Sequence, residues 1–186
     1  MSRVQSFSPL EDRRASVLIL GSMPGEASLR AGEYYAHPRN AFWPIMGHLL
    51  GFQAERPYAE RVCCLISARI AVWDVLATCH RSGSGDAEIE DSTITVNDFA
   101  SFFRDHPHVR SVFFNGTKAE ACFRRWAQPQ LQIPDVAFQR LPSTSPANAS
   151  YSFEKKLGAW SVIDGVRTAS VSREQETVAG AAGTGH

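Results

Sequence analysis

Three parts of the chain repeat one order of elements, in which a short apolar run leads into a polar loop and then into an amphipathic stretch. The apolar runs cover residues 16–20, 109–114 and 136–141. Each run has the length of a buried strand and stops at turn-forming residues. The amphipathic stretches cover residues 42–50, about 117–126, and the segment through Phe153, Leu157 and Trp160. Repeated strand–loop–helix units predict a parallel sheet with helices on both faces.

The segment between the first two units adds further predicted elements. Residues 58–67 favour a helix, residues 71–76 form a short apolar piece, and the Gly- and Ser-rich residues 82–86 predict a flexible loop. In an open α/β sheet, ligands bind beyond the carboxyl ends of the strands. We therefore expect the polar loops that follow the three apolar runs to converge on one site.

The length and composition are typical of a single globular domain. Of the 186 residues, 44% are hydrophobic and 20% are charged, which is enough to bury one core without disulfides or a metal. We assign the domain to residues 1–168 and expect residues 169–186, which contain almost no large apolar side chain, to be a disordered tail. The four cysteines lack metal-ligand spacing, so we expect buried thiols, no metal and no cofactor.

Hydropathy and charge bear on location and partners. No apolar stretch reaches the roughly 18 to 20 residues of a membrane helix, and the first residues lack a signal-peptide pattern, so we expect a cytoplasmic protein with no membrane partner. The 19 basic and 19 acidic residues cancel, which gives no global sign of an anionic partner. The balance is uneven, because residues 61–100 carry 3 basic and 6 acidic side chains and residues 101–160 carry 8 and 4.

The first polar loop contains the richest group of candidate binding residues. Residues 21–25 supply two glycines and a proline, which let backbone amides approach a ligand. Residues 34–43 then place four aromatic side chains, a His, an Arg and an Asn within ten residues, a combination that suits stacking on a planar ring. Tyr35 is the candidate for stacking, with a core role as the alternative, and we expect the other three aromatics in the core. Asn40 precedes the helix at a natural N-cap position.

The other two polar loops offer hydrogen-bonding groups. Asn115 at a strand end can read two adjacent atoms on a base edge, or it can form a turn with Gly116. Residues 142–148 are rich in hydroxyls and prolines, so this loop can bind phosphates while remaining stiff, or it can be a solvated linker. The candidate phosphate ligands in this loop are Ser143, Thr144, Ser145 and Asn148.

Five segments together resemble the hypoxanthine-DNA glycosylase family of the uracil-DNA glycosylase superfamily. They are Gly21-Ser-Met-Pro-Gly25, Tyr34-Tyr-Ala-His-Pro-Arg-Asn-Ala-Phe-Trp43, Trp73-Asp-Val-Leu76, Asn115-Gly-Thr-Lys-Ala119 and Leu141-Pro-Ser-Thr-Ser-Pro-Ala-Asn148. The resemblance implies an α/β fold, a three-layer α/β/α sandwich with a central, mostly parallel four-stranded sheet. It also implies an enzyme that hydrolyses the N-glycosidic bond of a deaminated base in DNA.

One departure from the mismatch-type uracil enzymes concerns the attacking water. In those enzymes the turn that corresponds to residues 21–25, called the first turn below, contains an Asn that positions this water. In this chain Met23 stands at that place. The resemblance implies that Asn40 takes over the role, and the alternative is that Asn40 is only a helix cap. Met23 also leaves open a module that binds damaged DNA or a nucleotide without catalysis.

The resemblance implies roles for the remaining candidates. Tyr35 would stack on a base flipped out of the duplex, Asn115 would hydrogen-bond its edge, and the first turn would contact its ring through Ser22 and Met23. Candidates for supporting roles, each with a structural role as the alternative, are His37, Asp74 and Lys118.

Hypoxanthine, the deamination product of adenine, is the leading substrate under this resemblance, and uracil is the alternative. We expect a monomer whose partner is DNA containing a deaminated base. Because the net charge is zero, we expect modest affinity for DNA and a weak dependence on salt.

Overall fold

A computed structural model describes residues 2–83, 85–133 and 135–169 of the chain. The strands are β1 (Ser2–Gln5), β2 (Val17–Gly21), β3 (Ile70–Asp74), β4 (Leu76–Arg81), β5 (Thr95–Val96), β6 (Ser111–Asn115) and β7 (Ala137–Leu141). The α-helices are α1 (Glu26–Ala31), α2 (Phe42–Leu50), α3 (Tyr58–Ser67), α4 (Phe99–Asp105), α5 (Thr117–Cys122) and α6 (Phe153–Trp160). Residues 162–169 are also helical.

The central sheet has four strands, all parallel, in the order β3-β2-β6-β7. β2 lies between β3 and β6 and is buried along its whole length. Its side chains alternate between two hydrophobic clusters, with Leu18 and Leu20 on one face and Val17 and Ile19 on the other. Residues of α4 and α5 complete the first cluster, and residues of α2, α3 and α6 complete the second. The predicted three-layer sandwich is confirmed.

A second sheet extends the fold beyond the predicted layers. Its three strands have the order β1-β4-β5 and are antiparallel. β4 begins at Leu76, directly after β3 and Val75, so the Trp-Asp-Val-Leu segment joins the two sheets. The sequence pattern did not predict this sheet, because β4 mixes buried and exposed residues without regular alternation and its partners are distant in sequence.

Several predicted boundaries differ from the structure. α2 ends as expected at Gly51, which has the left-handed conformation with φ of 75°. The helix predicted at about 117–126 is α-helical only to Cys122 and continues as a π-helical turn over Phe123–Ala127. The expectation of four buried thiols is wrong for Cys63, which is exposed, and for Cys64, which is partly buried, because α3 turns only one side to the core.

The predicted tail, apart from residue 169 at the end of the last helical segment, lies outside the described residues. Within the described part of the chain, no helix is both long and apolar enough to cross a membrane.

Candidate active site

The polar loops meet at the carboxyl end of the central sheet, where neighbouring strands end in register. Gly21 of β2 is paired with Asp74 of β3, and Asn115 of β6 is paired with Leu141 of β7. A Cβ atom on Gly21 would collide with Asp74 Oδ1 and would lie 3.1 Å from the Tyr35 hydroxyl oxygen. Glycine is therefore needed at this strand end so that the two side chains can both approach the backbone.

Tyr35 presents a rigidly supported aromatic ring at this edge. Its ring stacks on Phe42 with centroids 4.0 Å apart and an interplanar angle of 25°. Its backbone has φ of 56°, a left-handed conformation that is costly for a tyrosine and that occurs often at functional sites. The residue is only partly buried, whereas Tyr34, Phe42 and Trp43 are core residues as expected.

The Tyr35 hydroxyl lies inside the protein although part of the side chain reaches solvent. Burial and the neighbouring Asp74 carboxyl raise the pKa of this hydroxyl, and the Asn115 side chain lowers it. The hydroxyl oxygen makes no well-formed hydrogen bond among the described residues, so the influence of Asn115 is that of a nearby dipole. The hydroxyl therefore stays protonated, and packing against Phe42, not a hydrogen bond, holds the ring.

Asp74 is a buried carboxyl group that is largely protonated near neutral pH. Burial and the negative charge of Asp86 raise its pKa to about 8, although the nearby Arg81 guanidinium lowers it. Its Oδ2 atom is buried and has no hydrogen-bond partner among the described residues. A neutral carboxyl group at a strand end can both donate and accept a hydrogen bond.

Asp86 and Arg81 surround the first turn and were missed by the sequence reasoning. Asp86 accepts a hydrogen bond of 2.5 Å from the Ser22 hydroxyl, although the two residues are 64 positions apart. Arg81 is buried, and its Nη2 atom donates to the Pro24 carbonyl at 2.8 Å. The Gly- and Ser-rich loop predicted to be flexible thus contributes a contact that orients Ser22.

Asn115 connects the end of β6 to the loop of residues 142–148. Its Oδ1 atom accepts from the Thr144 backbone N–H, and its Nδ2 atom donates to the Thr144 hydroxyl, both at 2.8 Å. The amide keeps one N–H and one lone pair for other partners. Gly116 has φ of 96°, so the alternative turn-forming role is also present.

The loop of residues 142–148 is constrained by its own hydrogen bonds. The Thr144 carbonyl accepts from the Ala41 N–H at 3.0 Å, which ties the loop to the start of α2. The Ser143 hydroxyl accepts from the Ser145 N–H at 3.2 Å, and Asn148 Nδ2 donates to the Ser143 carbonyl at 3.1 Å. These contacts favour a stiff loop over a solvated linker.

Asn40 lies one residue before the structural N-cap of α2, which is Ala41. Its Oδ1 atom accepts from the Phe42 backbone N–H at 3.0 Å, and its own N–H donates to the His37 carbonyl at 2.8 Å. Asn40 therefore does bond the first turn of α2, and these two contacts fix its position between the His37 turn and the start of that helix.

The chain is similar to known proteins over most of its length, and this similarity shows its family. The model of the "Uracil DNA glycosylase superfamily" matches residues 8–163. The chain belongs to this superfamily. It is 33% identical to a protein of Methanosarcina acetivorans named "Hypoxanthine DNA glycosylase", over 86% of this chain and 96% of that protein. It is 34% identical to a protein of the same name from Methanosarcina barkeri, over 83% of this chain and 94% of that protein.

A solved structure supports the same fold. A Methanosarcina acetivorans chain that carries the provisional name uracil DNA glycosylase, determined by solution NMR, superposes with a TM-score of 0.74 at 30% identity. The match covers 88% of this chain and 97% of that one. The superfamily match and the two named relatives confirm the predicted enzyme class, a DNA N-glycosylase, and they disfavour the alternative of a non-catalytic binding module.

The remaining candidates lie around the glycosylase site in less direct positions. Met23 is buried in the hydrophobic cluster that contains Leu20. His37 accepts a hydrogen bond at Nδ1 from the Arg39 N–H at 3.1 Å, so it shapes the turn before Asn40. Lys118 forms an ion pair with Asp91 at 3.2 Å. These contacts stabilise the core, a turn and the surface around the site.

Two further observations concern other sites in the glycosylase. A cleft of about 640 Å³ lies near the amino ends of β6 and β7, lined by residues that include His106, Val109 and Val136, and thus away from the converging loops. Among the described residues, no group of three or more His, Cys, Asp or Glu side chains is placed to hold a metal ion.

Proposed function

We propose that this chain removes hypoxanthine from DNA by hydrolysing its N-glycosidic bond. The observation that carries the proposal is the Tyr35 ring, which is backed by Phe42 and stands at the strand ends beside Asp74 and Asn115. The names of the two Methanosarcina relatives, which the chain matches over nearly their full length, favour hypoxanthine over uracil.

Base capture must offset the free energy of flipping the nucleotide, which amounts to about a few kcal/mol. Stacking of a base on an aromatic ring contributes about 1 to 3 kcal/mol. We assign this stacking to Tyr35, because its supporting contact with Phe42 means that little ordering is needed on binding. Asn115 uses its remaining N–H and lone pair on the base edge. The backbone of residues 21–25 contacts the ring at Ser22 and Met23, since the Met23 side chain is buried in the core.

Hydrolysis requires a water molecule placed on the sugar side of the bond. We assign its orientation to Asn40, whose amide is anchored at Oδ1 by the Phe42 N–H. The water oxygen forms the new bond to C1′ while the bond from C1′ to the base nitrogen breaks, and the electron pair leaves with the base. The proton lost by the water ends on the departing base, which is released as neutral hypoxanthine. Polar groups of the pocket stabilise the developing negative charge on that base.

The loop of residues 142–148 holds the DNA backbone in this proposal. Ser143 and Ser145 accept backbone N–H groups with their hydroxyl oxygens, so their hydroxyl protons are available to phosphate oxygens. Thr144 is buried and bonded to Asn115, so it shapes the loop, and Asn148 braces it from the far end. His37, Asp74 and Lys118 support the surrounding turns.

Excision from defined substrates tests the proposal. Labelled duplexes carrying inosine, uracil or mismatched thymine are incubated with the protein, and abasic sites are then cleaved with alkali. We expect strand breaks at inosine, and faster breaks at uracil would favour the alternative substrate. Binding without breaks on every duplex would overturn the enzyme assignment.

A single chain supplies every residue of the proposed site, so we also propose that the active form is a monomer. Sedimentation of the protein with and without an inosine duplex tests this, and a dimer in both conditions would contradict it.

A further inference from the structure

Lys156 of α6 is a buried lysine beneath the loop of residues 142–148. The residue is 6% exposed, and burial lowers the pKa of its ammonium group. Its Nζ atom donates to the Ser145 carbonyl at 3.3 Å. An ammonium group has three N–H donors, so a single carbonyl satisfies only part of its hydrogen-bonding capacity.

Among the described residues, no acidic side chain forms an ion pair with Lys156. None of the ion pairs formed by the described residues includes it, whereas Arg124 and Arg140 bind Glu120, and Lys118 and Arg125 bind Asp91. Buried charges in proteins are normally paired, because removing an ion from water is costly without a counter-charge. Ion pairs thus neutralise several basic side chains of residues 101–160 on the surface. Beneath the loop, no described acidic residue neutralises Lys156.

Bracing of the loop does not by itself require a charged residue. Trp160, one turn further along α6, donates from its indole nitrogen to the Pro142 carbonyl at 2.9 Å and so braces the same loop with a neutral group. The carbonyl that Lys156 contacts belongs to Ser145, which is partly exposed. A phosphate that reaches Ser145 is therefore also close to the Lys156 ammonium group.

We propose that Lys156 pairs with a backbone phosphate of bound DNA, which supplies the counter-charge that no described residue provides. The inference rests on the proposed function in that the bound partner is DNA. The phosphate would lie on the loop and accept hydrogen bonds from the Ser143 and Ser145 hydroxyls as well as from Lys156. This contact positions the strand and does not touch the reacting bond.

The salt dependence of DNA binding tests the contact. Affinity for a duplex with an uncleavable abasic-site analogue is measured by fluorescence anisotropy for the wild type, Lys156→Met and Lys155→Met. Lys155 is the matched control, because it is adjacent and exposed and its replacement removes the same charge. Loss of one phosphate contact should reduce the slope of log affinity against log salt by about 0.9 for Lys156→Met.

The change in slope can also be read as a change in relative affinity between two salt concentrations. Between about 50 and 200 mM salt, the affinity deficit of Lys156→Met should shrink by about 3.5-fold. A slope for Lys156→Met equal to that of the wild type, or a change no larger than that of Lys155→Met, would overturn the proposal, since a purely structural role alters affinity without altering the slope.

A neutral methylphosphonate, placed in turn at each phosphate near the lesion, identifies the contact. At one position the methylphosphonate should weaken binding by the wild type but leave binding by Lys156→Met unchanged. If the methylphosphonate weakened binding by both proteins equally at every position, the pairing would be contradicted. If Lys156→Met does not fold, a structure of the wild type with the abasic-site duplex gives the answer. Lys156 Nζ should then be within hydrogen-bonding distance of a phosphate oxygen, and a longer separation overturns the proposal.

The excision assay separates the two proposals. A protein that binds DNA with a Lys156-dependent slope but releases no hypoxanthine would retain the phosphate contact and lose the proposed substrate. A protein that releases hypoxanthine with an unchanged slope in Lys156→Met would retain the substrate and lose the contact.

Discussion

Asp74 is a single side chain whose surroundings decide its chemistry. The pKa of this carboxyl is about 8 in the fold, against an ordinary value of 3.8, because it is buried and faces Asp86. The same residue lies against Gly21 beside the Tyr35 hydroxyl. At the scale of residues, the site is therefore a close-packed arrangement in which small changes of volume or charge have large effects.

The raised pKa of Asp74 should make stability depend on pH. Between about pH 4 and pH 8 the folded state holds the proton and the unfolded state does not, so the free energy of unfolding falls as pH rises, by up to about 1.4 kcal/mol per pH unit. Asp74→Asn, which is neutral at every pH, should remove this contribution, and urea unfolding across that pH range measures it. Asp105→Asn, at an exposed acid, is the control. Parallel pH curves for the wild type and Asp74→Asn would contradict the expectation.

A methyl group at Gly21 should disturb the site directly. Gly21→Ala places a Cβ against Asp74 Oδ1 and near the Tyr35 hydroxyl, so we expect a loss of about 1 to 3 kcal/mol of stability from overpacking. Gly158→Ala in α6, where a Cβ meets no atom within 4 Å, should instead stabilise the protein by about 0.5 to 1 kcal/mol. Thermal and urea unfolding of both variants provide the comparison. If Gly21→Ala left the free energy of unfolding unchanged, the strand ends would not be tightly packed.

The ring and the hydroxyl of Tyr35 should contribute separately to excision. Tyr35→Leu removes the stacking surface and should lower the excision of hypoxanthine by about 5- to 150-fold, equivalent to about 1 to 3 kcal/mol. Tyr35→Phe keeps the ring on Phe42 and should stay within a few-fold of the wild type. Single-turnover rates on an inosine duplex test both variants. Equal losses would assign the role to the hydroxyl and not to stacking.

At the scale of elements, the site depends on contacts between the ends of different strands and helices. The pair Asn115 and Thr144 connects β6 to the loop after β7, and the Thr144 carbonyl extends the connection to the start of α2. These contacts span long sequence separations and hold three elements in one geometry. Removing one partner leaves a buried donor or acceptor without a partner, which is more costly than losing the bond itself.

The connection between Asn115 and Thr144 yields a prediction about both stability and base choice. Asn115→Ala should cost about 1 to 3 kcal/mol, because the buried Thr144 N–H loses its acceptor. Thr144→Val removes the hydroxyl while keeping the side-chain shape, so it reports the loop-holding role alone. If Asn115 also reads the base, only Asn115→Ala should change the ratio of inosine to uracil excision. Identical ratios in the two variants would restrict Asn115 to holding the loop.

At the scale of the whole molecule, the zero net charge conceals an uneven distribution of charge. Residues 101–160 carry 8 basic and 4 acidic side chains, yet several of these basic side chains form surface ion pairs. Such pairs contribute little to stability but reduce the positive charge available to DNA. We therefore expect DNA binding to depend on a few phosphate contacts more than on the overall charge of the protein.

This charge distribution predicts a weak dependence of DNA binding on salt. With about two to four phosphates neutralised, the slope of log affinity against log salt should lie between about −2 and −4. Anisotropy titrations of the wild type on a duplex of defined length measure this slope. A slope steeper than about −6 would mean that the DNA contacts a larger basic surface than two to four phosphate-binding groups provide.

The sequence by itself determined the local features of this glycosylase. The apolar run of β2, the helix that stops at Gly51 and the order of the five motifs follow from short-range periodicity and from turn chemistry, both of which are visible along the chain. Only the tertiary structure decided the rest. It brought together residues far apart in sequence, where desolvation and packing depend on which groups the fold places side by side. Examples are the pairing of β4 with β1, the burial of Asp74 near Asp86, and the burial of Lys156 against the Ser145 carbonyl.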